Sequence, residues 1–127
     1  MIIQFILLTI PLITHLIVDW QGVVRHKLNA AYVLALSLAA GILLPGYWWQ
    51  GTLFALSIHF TFFDPIYNLT HGHKLFYHGD PRNPDQAWTD KQWEKIPVYA
   101  EVFIRLWVLV VGYSVYFELD RIISYIP

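Results

Sequence analysis

The sequence predicts an all-α integral membrane protein with four transmembrane helices and a cytoplasmic loop between the third and fourth. Three observations lead there. Apolar residues make up 57% of the 127-residue chain and charged residues 13%, about half the charged share of an ordinary soluble domain. Four segments come close to the roughly 20 apolar residues that a spanning helix needs. The remainder is short breaks and one long polar segment, about 70–96. The length fits one domain, taken as residues 1–127.

The first span is expected over about 2–20. Its text, "MIIQFILLTIPLITHLIVDW", lacks a basic leading region, and no small-residue cleavage site follows, so it reads as a retained helix rather than a signal peptide. The second, about 28–49, contains Ala39, Ala40 and Gly41, small residues that let helices approach closely. "PGYWWQG" at Pro45–Gly51 is expected to break it in a tight turn, with Tyr47, Trp48 and Trp49 at the membrane interface. The third span is expected over about 52–69. In the polar segment that follows, Thr89 is a plausible N-cap for a short surface helix, with Trp93 dipping toward lipid. The fourth, about 97–117, starts on Pro97, a good first-turn residue. The tail "ELDRIISYIP" alternates charged and apolar residues and is expected at the interface.

Lys and Arg set the orientation. The loops 21–27 and 70–96 hold Arg25, Lys27, Lys74, Arg82, Lys91 and Lys95, six of the eight basic residues. Both loops are therefore expected in the cytoplasm and both termini outside, in the inner (cytoplasmic) membrane. A net charge of −1 argues against nucleic acid as a partner. With no cysteine, disulfides, thiolate nucleophiles and cysteine-held metals are excluded. A metal would need His, Asp, Glu or backbone oxygen, a donor set that suits zinc, iron, manganese or magnesium.

Ionisable groups within a span are costly and call for an explanation. On the first span they are His15 and Asp19, four apart and on one face. On the third they are His59 and Asp64, within "SIHFTFFDPIYNLTHGHKLFYHGD" (Ser57–Asp80), which holds four of the six histidines. Five residues separate this second pair, so a regular helix would not align them. Asp64-Pro65 is a break signal, and a kink with Asp64 capping a new turn would bring both toward one point. On the fourth span Glu101 and Arg105 are four apart and can pair. Most of these positions fall near the cytoplasmic ends of their helices.

Two readings of the cluster follow. In one, His15, Asp19, His59 and Asp64 bind a divalent metal that activates water against a lipid-like or peptide-like substrate. Glu101 then serves as proton acceptor and Arg105 binds an anionic headgroup. In the other, these groups form a buried network that locks the helices together. His71-x-His73 also has ligand spacing, although both fit a solvated loop, and His26 fits a basic, headgroup-facing loop. His15 and His59 would suit a haem, but Phe60, Phe62 and Phe63 crowd the space.

"THLIVDWQ", Thr14–Gln21, resembles the His-x-x-x-Asp start of a family of small bacterial inner-membrane proteins, some suspected of metal-dependent hydrolysis. That resemblance implies a second His-x-x-x-Asp on a later helix. Here "HFTFFD" has one residue too many. "FFDPIYNLTHGHKLFYHGD" resembles a Phe-Asp-x-x-x-Asn…Gly…Phe-Tyr-x-Gly pattern of small membrane proteins in Bacteroidetes and their phages, which implies no activity. The expected function is thus a small polytopic membrane protein with a His/Asp site at the inner leaflet. Alternatives are a holin-like protein, an accessory subunit of a membrane complex, or a proton or ion conductor. Membrane lipids, copies of the chain or a larger membrane complex are the expected partners.

Overall fold

A computed structural model describes residues 2–20, 26–78, 88–118 and 121, without the side chains of 19–20, 26–28 and 88–89. The described residues form five helices and no strand: α1 (Ile2–Trp20), α2 (His26–Leu43), α3 (Trp48–Thr70), α4 (Trp88–Trp93) and α5 (Val98–Phe117). The expected loop 21–27 falls mostly outside the described residues, as do the middle of the polar segment and most of the tail.

α3 is the hub. It packs on α1, α2 and α5, and α1 also packs on α2. The apolar core is Leu8 and Leu12 of α1, Ala40 of α2, Leu44 just beyond it, and Phe54, Ala55 and Ile58 of α3. Glycines set the closest approaches. A Cβ on Gly51 would lie 2.9 Å from the Cα of Gly41, so α2 and α3 cross nearly backbone to backbone, as small residues permit. A Cβ on Gly112 would overlap the Ser57 hydroxyl, so α5 also packs closely on α3, there against a side chain.

One expectation about α3 is corrected. The turn before it is shorter than Pro45–Gly51, and the helix already starts at Trp48. Pro45 disfavours helical backbone at Leu44, and Gly46 takes the positive φ of +101° that the reversal needs. The Gln50 side chain then reaches back to accept from the Tyr47 amide at 3.3 Å, a capping bond that starts the helix early. At the other end the helix runs through Asp64-Pro65 to Thr70, one residue past the expected end at about 69. Pro65 lies inside α3, and it removes only one amide from the ladder, a loss that neighbouring polar groups can offset. α4 likewise begins at Trp88, one residue before the expected cap at Thr89.

Among the described residues, α5 is the one helix long and apolar enough to cross a membrane. α1 and α2 contain shorter apolar stretches, Ile2–Val18 and Asn29–Leu43. α3 has 23 residues but carries Gln50, Thr52, Ser57, His59, Thr61, Asp64 and Asn68 along its length.

Candidate functional site

The ionisable side chains gather on two sides of α3. Toward α1, His15 and His59 meet edge to edge, with His15 Nδ1 2.8 Å from His59 Nε2. A hydrogen bond there needs one ring nitrogen protonated and the other bare. The Phe63 ring lies nearly parallel to both imidazoles, at centroid distances of 4.0 Å from His15 and 5.0 Å from His59. One turn of α3 separates His59 from Phe63, so the aromatic plate comes from the same helix that carries the second imidazole.

Toward α5, Arg105 is held by three acceptors. Its Nε donates to Glu101 Oε1 at 2.8 Å, one turn back on the same helix. Its Nη1 donates to the Phe60 carbonyl at 2.6 Å and its Nη2 to Asp64 Oδ2 at 2.5 Å. The rings of Trp93 and Phe60 lie 4.9 Å and 5.4 Å from the guanidinium carbon, within cation–π range. The other Glu101 oxygen, Oε2, pairs with His78 Nε2 at 2.8 Å. Glu101 and Arg105 are almost wholly buried, whereas the Asp64 side chain is 33% exposed. Burying an arginine this way is tolerable because directed bonds replace its water shell. Two carboxylates against one guanidinium leave one net negative charge when the imidazoles are neutral.

Behind this cluster the chain leaving α3 is stitched to the bundle. Asn68 is buried, and its amide nitrogen donates to the carbonyls of Leu75 at 3.0 Å and Tyr77 at 2.8 Å. Its own carbonyl accepts from the His73 amide at 2.8 Å. Gly72, at φ +73°, turns the chain so that it runs back toward α5.

No protein family matches the chain, nor does any curated protein or solved structure.

The geometry itself therefore has to carry the argument. Of the four expected ligands, His15 and His59 come together, while Asp64 turns to Arg105. Asp19 lies in the last turn of α1, its side chain outside the described part. Among the described residues no three His, Asp or Glu side chains converge as metal ligands. Glu101 and Arg105 form their expected pair. His71 and His73 stack on different tyrosines, Tyr67 at 4.1 Å and Tyr77 at 4.5 Å.

Three residues that sequence reasoning did not place in the site belong to it. His78 reaches Glu101, Trp93 covers Arg105, and Asn68 holds the returning chain. A signal for Asn68 was present. In the Phe-Asp-x-x-x-Asn…Phe-Tyr pattern, the Asn bonds the carbonyls on either side of Phe76. No comparable signal marks Trp93, one of six tryptophans.

Proposed function

We propose that the chain is an integral membrane protein of four spans, α1, α2, α3 and α5, with a divalent-metal site opening at its cytoplasmic rim. We read it as a metal-dependent hydrolase of lipid-like substrates. The observation that carries the membrane reading is the inverted burial on α5. Its buried residues are Glu101, Arg105 and Gly112, while Phe103, Trp107 and Val110 are more than half exposed. Soluble proteins bury in the opposite sense. α3 can be the least apolar of the four because its three neighbours shield it, and α1 and α2 expose large apolar residues as α5 does.

The facing imidazoles support the metal reading. Two histidines on one tetrahedral zinc, each about 2.0–2.1 Å from the ion, hold their nitrogens roughly 3.3 Å apart. Opening the His15–His59 pair by about half an ångström would reach that spacing. Asp19, one turn beyond His15 on the same face, is the third ligand in this reading. The ion would supply Lewis acidity and an activated water. An apolar groove of about 260 Å³ between α1 and the end of α3, lined by Ile13, Leu16, Ile17 and Thr70, favours an acyl chain over a peptide.

A second reading has one observation in its favour: Arg105 is matched by three acceptors, as a purely structural lock would require. Conduction is less well supported. The ionisable groups occupy only the half of α3 from His59 onward. In the other half the Ser57 and Thr52 hydroxyls donate to carbonyls of their own helix, Phe54 and Trp48.

The test is metal analysis and zinc titration of detergent-purified protein. Stoichiometric zinc is expected in the wild type, with loss in His15→Ala, His59→Ala and Asp19→Asn. Protein that holds no metal while those variants fold and melt like wild type would reject the metal site and leave the structural lock. The spans are tested by single cysteines in this cysteine-free chain. Residues 47 and 75 should react with an impermeant maleimide from opposite sides of the membrane.

A further inference from the structure

We propose that residues 71–78 form a strap that closes the rim site, with His78 as its latch on Glu101. This regulation rests on the reading that Glu101 and Arg105 serve the site. The strap has two anchors of different kinds. Along most of its length, Asn68 bonds it through both side chain and backbone, at the His73 amide and the Leu75 and Tyr77 carbonyls. At its end, His78 occupies the Glu101 oxygen that Arg105 leaves open.

The strap is built to release. Gly72, His73, Lys74, Leu75 and Tyr77 are exposed, and Phe76 is only partly buried. Leu75 and Tyr77 keep 40% of their surface exposed, and none of these side chains belongs to the apolar core, so the polar bonds to Asn68 and Glu101 carry much of what holds the strap. Segments of that kind open at the low end of a protein's local stability. In the closed form Glu101 is spoken for on both oxygens and is 1% exposed. It can neither take a proton from a substrate nor meet one. Lifting His78 frees one carboxylate oxygen next to Arg105, at the end of the bundle where α3 and α5 carry their ionisable groups. The structure is thus the closed state of a gated site, and the Asn68 anchor keeps the strap in register for reclosing.

Two measurements test this on the full chain in detergent or liposomes. The first is hydrogen exchange of peptides covering 71–78. The second is modification of Glu101 by a hydrophobic carbodiimide, located by peptide mass. In the wild type the His73 and Tyr77 amides should be protected and Glu101 should label slowly. In His78→Ala, Glu101 should label about tenfold faster or more, the scale set by losing a hydrogen bond to a charged group. Asn68→Ala leaves His78 and Glu101 in place, so it serves where His78→Ala perturbs the ion cluster. It should lose strap protection and speed labelling in the same sense. Unchanged exchange in the α3 and α5 peptides would show that the bundle is intact. Equal Glu101 labelling in the wild type and both variants overturns the strap. So does free exchange of 71–78 in the wild type. Zinc titration of the same samples separates the two proposals. Labelling that follows the strap in chains without zinc would retain the gate and reject the metal site.

Discussion

Arg105 draws its three partners from three sources: a side chain on its own helix, a side chain on α3 and a backbone carbonyl of α3. A planar guanidinium can satisfy all three in one plane, whereas a lysine ammonium is a single point of charge. Arg105→Ala would strand Glu101 in a dry site and is expected to destabilise the protein by about 3–5 kcal/mol. Arg105→Lys should recover only a minor part. Thermal unfolding followed by circular dichroism in detergent would measure both, and full recovery by lysine would show that charge alone suffices. At this scale the sequence revealed the Glu101–Arg105 pair, because a spacing of four fixes it within one helix. Its network reading also allowed Asp64 to pair with Arg105, as it does, but did not reveal that the Phe60 carbonyl completes the set. Those contacts depend on how α5 is rotated against α3, which no local pattern records.

The helices were legible where a chemical stop exists. α5 begins right after Pro97. α3 was misjudged at its start, where Gln50 caps it early, while its end at Thr70 lies within a residue of the expected one. Its crossings with α2 and α5 rest on glycine, and they differ in what could yield. A methyl at Gly41 would strike the Trp48 carbonyl, which is backbone, as well as the Thr52 hydroxyl. At Gly112 the obstacle is the Ser57 side chain, with its Cβ at 2.7 Å. Both Gly→Ala changes should destabilise by roughly 1–3 kcal/mol, the usual range for overpacking, with Gly41→Ala the worse. Adding Ser57→Gly should relieve Gly112→Ala, and no Thr52 substitution should fully relieve Gly41→Ala. Melting temperatures of the single and double variants decide it. Equal rescue at both positions would contradict the backbone clash.

As a whole the molecule is ordered around α3, and the two polar clusters belong to different helix pairs. His15–His59 joins α1 to α3, while Asp64–Arg105–Glu101–His78 joins α5 to α3 and to the returning chain. The sequence led to the expectation that most of these residues lie near one end of their helices. Which of them share a partner follows from three-body packing that only the assembled bundle defines. This division has a consequence for how the protein is made. The ribosome delivers α1 through α3 before α5, so the imidazole pair can form while Asp64 still lacks Arg105. In the proposed membrane arrangement, a nascent bundle of three helices would hold the α3 carboxylate without its arginine, where membrane carboxylates are costly. A chain stopped before Val98 is expected to be cleared faster in pulse–chase labelling, and Asp64→Asn should lengthen its lifetime. On that proposal the arginine cluster would act as a checkpoint on completeness, since Asp64 meets Arg105 only when α5 is in place.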